Sequence, residues 1–215
     1  MKRIKNRNAI TIETYNKSAV QYQDKFMNFD LYNDTFDKFC NLLEAHGANI
    51  FEIGCGPGNV TKYLLSKRPD FNITGIDLSP NMVKLSKMNN PTANFIEMDC
   101  RKIGELTEKY DAVLCAFCLP YLSKIESKEL IEKVSELLVA GGIFYLSTME
   151  DDYDKSGFET TSFSGKDEVY IYYHEFDYLS KILFKNNFEI VAFQKKNYPD
   201  ANRILTDMIF IARKL

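Results

Sequence analysis

A short apolar segment runs directly into a glycine-rich loop at residues 49–59, where the sequence reads NIFEIGCGPGN. The apolar segment has the length of a strand and stops at Gly54. The residues after Gly58 carry apolar side chains at positions 60, 63 and 64, which is helical spacing. Glycines are needed in such a turn because the chain turns tightly and a ligand lies close to its backbone. We therefore expect a strand, a ligand-binding loop and a helix over residues 49–67.

Strands and helices alternate along the chain beyond this loop. Helices are expected after Ser79-Pro80, a cap followed by a proline, and after the capping box of Ser123 and Glu126. The second helix should end at Gly141-Gly142, and its apolar stripe comprises Leu130, Ile131, Val134, Leu137 and Leu138. Further strands are expected at residues 71–76, 94–98, 112–116 and 143–148. This alternation predicts an α/β fold with a doubly wound, mostly parallel sheet and helices on both faces.

The C-terminal third has a different pattern of polar and apolar residues. Residues 150–167 are polar, and we interpret them as an insertion or mobile loop. A strand-like segment at 169–173 and a helix at 176–185 follow. Two closing strands are expected at 188–193 and 204–212. The connection between the closing strands carries no helical pattern, so these strands should be antiparallel neighbours.

Composition and charge limit the possible functions. The 215 residues are 45% apolar and 27% charged, which is typical of a single globular domain. The formal charge of −3 disfavours a nucleic-acid partner. No apolar run reaches the roughly 20 residues of a membrane span, and the basic start lacks the apolar region of a secretory signal. We therefore expect a cytoplasmic protein without a membrane partner.

The cysteines do not form a recognisable framework. Their number, five, is odd, and their density is low, which disfavours a set of disulfides. Cys115 and Cys118 have C-x-x-C spacing, but Cys115 ends an apolar strand and no histidine stands near a matching pair. We therefore predict no metal site and no redox pair here.

Acidic residues stand at the ends of the second and third strands. Asp77 follows Gly58 by 19 positions, where a carboxylate can accept hydrogen bonds from the hydroxyls of an adenosine ribose. Asp99 ends the third strand, where it could accept a hydrogen bond from an adenine amino group. An alternative for Asp99 is a purely structural place at the strand end. Together with the glycine loop, these residues predict a nucleoside cofactor at the carboxyl edge of the sheet.

These segments resemble the motifs of the class I S-adenosylmethionine-dependent methyltransferases. The first motif is matched by Glu52-x-Gly54-x-Gly56-x-Gly58. The later motifs are matched by residues 75–82 (GIDLSPNM), 95–100 (FIEMDC), 110–117 (YDAVLCAF) and 137–143 (LLVAGGI). The resemblance extends over about residues 15–213 and is most specific over 50–145, and it is strongest to the stand-alone enzymes that methylate small molecules. It implies a Rossmann-like seven-stranded sheet whose last strand is antiparallel.

The resemblance implies how one domain would be divided over residues 1–215. Residues 1–45, expected to be helical over 10–45 with a break near 28–30, would form a lid, and residues 46–148 would form the cofactor-binding core. Residues 149–174 would form the substrate loop, and residues 175–215 a helix with the antiparallel strand pair. S-adenosylmethionine would be the cofactor. Its methyl group would go to an oxygen, nitrogen or other nucleophile of a small molecule.

Cofactor contacts are implied residue by residue. Glu52 and Gly54 would lie under the methionine part, Asp77 would hold the ribose, and Asp99 with Cys100 would meet the adenine edge. The full implied set is Tyr15, Tyr22, Glu52, Gly54, Cys55, Gly56, Gly58, Asp77, Leu78, Met82, Asp99, Cys100 and Ala116. An alternative for Leu78 and Met82 is a place in the core, and ordinary packing is the alternative for Tyr15 and Tyr22.

Aromatic residues predict an acceptor pocket at the same edge. Phe117 and Tyr121 follow the fourth strand, whereas Tyr170 and Tyr172 share one face of a later strand with His174. His174 directly precedes a helix that starts at this edge, and a histidine can accept a proton near neutral pH. We therefore expect His174 to be the catalytic base in an aromatic pocket walled by residues 150–167. The alternative is that His174 caps the helix or bonds to a carbonyl.

Two other functions remain open from the sequence. An oxidoreductase that binds NAD(P) uses G-x-G-x-x-G, whereas this loop reads G-x-G-x-G with Asn59 in the last position. Such an enzyme also gives no reason for Asp99. A non-catalytic module that only binds S-adenosylmethionine would be compatible with the intact glycine loop.

Overall fold

The architecture is a seven-stranded sheet with helices on both faces. In the computed structural model, which describes residues 7–200 and 203–215, the strands of this sheet follow the order β3-β2-β1-β4-β5-β9-β8. They comprise β1 (Asn49–Ile53), β2 (Asn72–Asp77), β3 (Asn94–Glu97), β4 (Tyr110–Ala116), β5 (Leu138–Glu150), β8 (Phe188–Asp200) and β9 (Arg203–Lys214). The remaining two strands, β6 (Gly157–Thr160) and β7 (Glu168–Ile171), pair with each other.

Seven α-helices are present in the described residues. They are α1 (Arg7–Lys17), α2 (Ala19–Phe26), α3 (Asn33–Asn41), α4 (Asn59–Lys67), α5 (Pro80–Asn89), α6 (Lys124–Leu137) and α7 (Phe176–Lys185). Short 3-10 turns lie at Cys100–Glu105, Leu119–Tyr121 and Tyr153–Lys155. No helix in this described part is long and apolar enough to cross a membrane.

The sheet has the predicted strand directions. Strands β1 to β5 are parallel, and β9 runs antiparallel to both β5 and β8. Side chains alternate between the two faces, so Ile50 packs in one core, whereas Phe51 and Ile53 pack in the other. Because helices cover both faces, the central strands β1 and β4 are buried on both faces over most of their length rather than alternately exposed. The expected doubly wound sheet with an antiparallel last strand is confirmed.

The helix starts follow the predicted capping residues. Ser79 caps α5 and accepts a hydrogen bond from the Met82 N–H at 3.3 Å. Ser123 and Glu126 form both hydrogen bonds of the capping box at the start of α6. The predicted end of α6 is wrong by one turn, because Leu138 pairs with Tyr110 of β4 and is already the first residue of β5.

The predicted helical segment at 10–45 forms three helices. One break lies at Ser18, between α1 and α2, and the expected break near residues 28–30 separates α2 from α3. Tyr32 stands at the N-terminal end of α3. These breaks allow α1 and α2 to cross the carboxyl edge of the sheet while α3 packs on its face.

Two C-terminal expectations are wrong. Residues 150–167 are not simply a loop, because β6 forms within them and pairs with β7. The segment 194–203 was predicted to be a connection between strands. Its residues instead extend the antiparallel pairing, since β8 runs to Asp200 and β9 starts at Arg203. The polar residues at 194–197 pair with residues 206–209, so the backbone ladder continues although the apolar pattern ends.

We predict that Gly58→Ala destabilises the fold more than Gly141→Ala. Both glycines have left-handed backbones, with φ of 80° and 77°. A Cβ at Gly58 would collide with the Asn90 amide and lie 3.2 Å from the Ser86 Cα, whereas a Cβ at Gly141 meets no atom within 4 Å. The left-handed conformation alone costs roughly 1–2 kcal/mol, so Gly58→Ala should lose about 1–2 kcal/mol more than its control. Urea unfolding measures both, and equal losses would contradict the steric argument.

Candidate functional site

Two cavities meet at the carboxyl edge of the sheet. The strand-end cavity lies against Asp77, Leu78, Met82 and Asp99 and holds about 880 Å³ together with its mouth. The aromatic cavity lies beside it and holds about 1160 Å³ in the same measure. The residues that line both cavities are Tyr15, Tyr22, Gly54, Gly56, Ala116, Phe117 and Tyr121. We call this shared wall the junction.

The glycine loop forms the floor of the junction. Gly54 and Gly56 have positive φ angles of 71° and 53°. The N–H groups of Gly54 and Cys55 both donate to the Ile76 carbonyl, at 2.8 and 2.9 Å, and tie the loop to β2. A Cβ at Gly54 would lie 2.9 Å from the Cys118 Cβ, so only glycine fits there. The loop therefore leaves the backbone as the surface that a ligand meets.

Asp77 is held in place by backbone hydrogen bonds. Its Oδ2 accepts from the Gly56 N–H at 3.0 Å, and its Oδ1 accepts from the Ser79 N–H at 2.8 Å. Burial raises the pKa of Asp77, and these hydrogen bonds oppose the shift. A carboxylate has about four acceptor positions, so lone pairs remain for a ligand that carries two hydroxyls. Asp77 is thus a fixed acceptor in the wall of the strand-end cavity.

The far wall of the strand-end cavity combines apolar and polar groups. Leu78 and the buried Met82 supply apolar surface, and Cys100 lies next to Asp99. Asp99 Oδ1 accepts from the Arg101 N–H at 2.9 Å and lies 3.1 Å from the Arg101 guanidinium. The arrangement offers an apolar surface beside a hydrogen-bonding edge, which suits a flat heterocycle.

Glu52 is a buried carboxyl at the end of β1. It is 1% exposed, accepts a short hydrogen bond from the Thr61 hydroxyl and lines the aromatic cavity together with Cys55. Burial raises the pKa of Glu52 to about 7. Gly58 lines neither cavity and is the N-terminal cap of α4.

Helix α1 crosses the two cavities and is attached on both sides. The Asn16 Oδ1 accepts from the Ser79 hydroxyl and from the Asn81 N–H, both at 3.0 Å. At the other side, the Thr14 hydroxyl donates to the Glu168 carbonyl at 2.8 Å. Tyr15 projects into the junction, where its hydroxyl contacts that of Tyr121.

Tyr22 of α2 completes the aromatic roof. Its ring centroid lies 5.7 Å from that of Tyr15 in an edge-to-face arrangement, and both side chains line both cavities. The predicted pair of tyrosines therefore meets over the glycine loop, although the two residues belong to different helices.

Phe117 adopts an unusual backbone conformation at the junction. Its φ of 57° is uncommon for a residue with a side chain. Its N–H donates to the Ser147 hydroxyl at 3.0 Å, and its ring lies 4.8 Å from that of Tyr32. Phe117 and Tyr121 thus line the site as the sequence predicts.

The other two predicted pocket residues, Tyr170 of β7 and Tyr172 directly after this strand, do not reach the cavities. Val169 and Ile171 line the aromatic cavity, whereas Tyr170 and Tyr172 line neither cavity. Tyr170 packs against Arg7, whose guanidinium lies 4.3 Å from the ring centroid. Because side chains alternate along a strand, only one of the two faces can reach the cavity, and β7 turns its aliphatic face inward.

The expected catalytic position of His174 is also wrong. His174 is fully buried, lines neither cavity, and has Nε2 at 3.2 Å from the carbonyl oxygens of both Leu119 and Leu122. Burial lowers the pKa of His174 to about 4, so the imidazole is neutral at neutral pH. It can donate to these carbonyls and fix the turn that carries Tyr121, which is a structural role.

Sequence reasoning missed most of the aromatic cavity. The further aromatic residues in its wall are Phe26, Phe29, Tyr32, Phe36, Phe163 and Tyr198. Its wall also contains Glu159 and Asp207. Asp207 had a visible signal, because it is the single charge within the strand ILTDMIFIA at 204–212. The aromatic residues gave no comparable signal in the sequence, because they come from segments that lie far apart along the chain.

The comparisons with known proteins agree with this geometry. Residues 50–142, from β1 to the start of β5, match the family described as a methyltransferase domain. The structure of magnesium protoporphyrin IX methyltransferase from Synechocystis PCC 6803 with bound SAM has the same fold, with a TM-score of 0.73 and 18% identity over 100% of both chains. This central part of the chain is similar to methyltransferase domains, and the fold of the chain is that of solved methyltransferase structures. The glycine loop and Asp77 occupy the part of the chain that carries the family match.

Two curated relatives are each 28% identical to the chain over the residues that they match. A putative methyltransferase of Invertebrate iridescent virus 6 is 28% identical over 137 residues, which are 63% of this chain and 49% of the relative. Malonyl-(acyl-carrier protein) O-methyltransferase of Acetivibrio thermocellus is 28% identical over 130 residues, 56% of this chain and 45% of the relative. The chain spans about half the length of the curated relatives it matches.

We predict that Glu52→Gln stabilises the protein at high pH in the absence of cofactor. The raised pKa of Glu52 means that the folded state favours the protonated form, so stability is lost as pH rises through about 7. Between about pH 5 and about pH 8.5, the stability advantage of Glu52→Gln should grow by about 2–3 kcal/mol. Urea unfolding of both proteins at the two pH values measures it. A constant difference would show that folding does not raise the pKa of Glu52 above its value in the unfolded chain.

Proposed function

We propose that the chain transfers a methyl group from S-adenosylmethionine to a small molecule bound in the aromatic cavity. The observation that carries this proposal is the junction, where a cavity with a fixed carboxylate opens onto an aromatic cavity across the glycine loop. A reaction between two bound molecules needs two adjoining sites with a shared wall. The junction supplies that geometry.

The strand-end cavity suits the nucleoside part of the cofactor. Asp77 would accept from the ribose hydroxyls, Leu78 and Met82 would pack on the adenine, and Asp99 with Cys100 would meet its edge. Gly54 and Gly56 would support the methionine part, with Glu52 below them and Tyr15 and Tyr22 above. Ala116 would lie beside the sulfur, where its small side chain leaves the path between the cavities open.

The protein's task is mainly positioning. When bound, S-adenosylmethionine supplies an electrophilic methyl group with its own leaving group, so the hard chemistry belongs to the cofactor. The junction residues align the acceptor with that methyl group, and such alignment contributes roughly 7–11 kcal/mol to lowering a barrier. Tyr15 and Tyr22 exclude water from above. The five free thiols support a reducing, cytoplasmic location, and the proposal involves neither a nucleic-acid nor a membrane partner.

We predict that Asp77→Ala weakens S-adenosylmethionine binding about tenfold or more. Removing an acceptor from buried donors costs about 1–3 kcal/mol. The matched control is Asp111→Ala, because Asp111 also accepts a backbone N–H, from Asn49 at 2.8 Å, but at the opposite edge of the sheet. Calorimetry with S-adenosylmethionine, S-adenosylhomocysteine and NAD measures both variants. No binding of S-adenosylmethionine by the wild type, or preference for NAD, would overturn the proposed function.

A second prediction concerns the lid formed by α1 and α2. Asn16→Ala removes the hydrogen bonds to Ser79 and Asn81, so cofactor should dissociate about three- to tenfold faster while the fold persists. Asn72→Ala is the control, since its amide joins β2 to Gly47 away from the cavities. Stopped-flow dissociation measures the rate, and an unchanged rate in a folded Asn16→Ala protein would refute the lid.

A further inference from the structure

We propose that the methyl acceptor is an amine, bound as a cation in the aromatic cavity, and that Asp207 receives its proton through Tyr32. This inference rests on the proposed function, because it names the substrate class for the same site. It follows from the charge of the cavity, the placement of the Tyr32–Asp207 pair and the energetic cost of that pair.

The aromatic cavity is acidic and rich in rings. Its described lining includes three carboxyl side chains, of Glu52, Glu159 and Asp207, and no lysine, arginine or histidine. The nearby Lys195 and Lys196 are paired with Glu150 and Asp34. Lys25, which is not among the lining residues, donates to the Ser162 carbonyl at 3.2 Å and lies 5.8 Å from the Tyr198 ring centroid. The charged side chains that line the cavity are all acidic, so a cation is attracted by the carboxylates and by the faces of the rings, whereas these groups repel an anion.

The Tyr32–Asp207 pair lies on the acceptor side of the junction. The Tyr32 hydroxyl donates to Asp207 Oδ2 at 2.6 Å, and both residues line the aromatic cavity. The Tyr32 ring lies 4.8 Å from that of Phe117, which lines both cavities. A group that contacts the Tyr32 hydroxyl therefore stands close to the point where the two cavities meet.

The buried Tyr32–Asp207 pair destabilises the fold. Asp207 is 3% exposed in a strand that is otherwise uncharged over residues 204–212, and burial raises its pKa to about 6. The same burial, with the adjacent Asp207 carboxylate, raises the pKa of Tyr32. The titratable and charged groups of the described elements around the pair are Tyr145 on β5, Tyr198 and Lys196 on β8, and Asp34 on α3. Lys196 bonds to Asp34, so within this part of the chain no cation neutralises Asp207.

An ammonium ligand would supply the missing positive charge. Once the cation is bound and before the methyl group is transferred, the ammonium N–H would give its proton to the Tyr32 oxygen while the Tyr32 proton passes to Asp207 Oδ2. The N–H and Tyr32 O–H bonds break, a new Tyr32 O–H bond and an Asp207 O–H bond form, and the nitrogen keeps its electron pair. The result is a neutral amine with a free lone pair, a neutral tyrosine and a protonated carboxyl group, which later releases its proton to water.

Indole probes test this inference directly, because the chain contains no tryptophan whose fluorescence would interfere. We would titrate tryptamine, a cation, and indole-3-acetate, its anionic counterpart, with protein in the presence and in the absence of S-adenosylhomocysteine. Tryptamine should bind at least about tenfold more tightly, as measured by fluorescence anisotropy. Equal binding, tighter binding of indole-3-acetate, or no tryptamine binding at millimolar concentration overturns the inference. The binding of S-adenosylhomocysteine, measured separately, reports on the proposed function.

Substitutions test whether the preference for tryptamine depends on the Tyr32–Asp207 pair. Asp207→Asn keeps a hydrogen-bond acceptor for Tyr32 but removes the charge, and it should abolish most of the preference for tryptamine. Tyr32→Phe should reduce the preference for tryptamine in part. The controls are Tyr63→Phe and Asp37→Asn, because these residues form a second tyrosine–aspartate pair, at 2.8 Å, that lies outside both cavities. An unchanged preference in Asp207→Asn overturns the assignment.

A stability measurement separates this role from a structural one. Because the pKa of Asp207 is raised, the folded state favours the protonated carboxyl group. The free energy of unfolding therefore falls as pH rises through about 6. Asp207→Asn should therefore melt at a higher temperature than the wild type at pH 8 and at a similar temperature near pH 4.5. A purely structural aspartate would make the variant less stable at both pH values, and that result contradicts the inference.

Discussion

The hydrogen bonds of Asp77 hold the site together. Through one carboxylate, the N–H of Gly56 in the loop after β1 is fixed relative to the N–H of Ser79, which caps the helix after β2. The loop cannot move without breaking a charge-assisted bond, and α5 cannot shift without moving the support of α1 at Asn16. The position of the roof thus depends on the same carboxylate that would bind the ribose.

The strand-end cavity could be predicted from the sequence because its residues stand in short, recognisable motifs. Gly54, Gly56, Asp77 and Asp99 each stand at a strand end, and strand ends are visible as the point where an apolar run stops. Parallel strands bring their carboxyl ends to one edge, so sequence order alone places these residues together. The same logic predicted the sheet and the capping residues of α5 and α6.

The acceptor half could not be read in this way because its residues meet only through tertiary packing. The direction of β7 decides whether Tyr170 or Ile171 faces the cavity, and a strand with large apolar residues on both faces carries no sign of that choice. His174 resembles a catalytic residue by its place before a helix, yet its ring turns toward the carbonyls of a neighbouring turn. The antiparallel pair of closing strands was predicted, but its extension beyond Phe193 was missed because residues 194–197 are polar, although the backbone pairing continues.

The attachment of α1 at both sides affects how molecules would pass through the site. One helix roofs both cavities through Tyr15, and it is anchored to α5 at Asn16 and to β7 at Thr14. A cofactor and an acceptor that both entered beneath this roof would share one opening, so their entry and release would be linked mechanically even though the two cavities are chemically different. In such an arrangement, the opening frequency of a single helix sets an upper limit on turnover, whatever the speed of the chemistry below it.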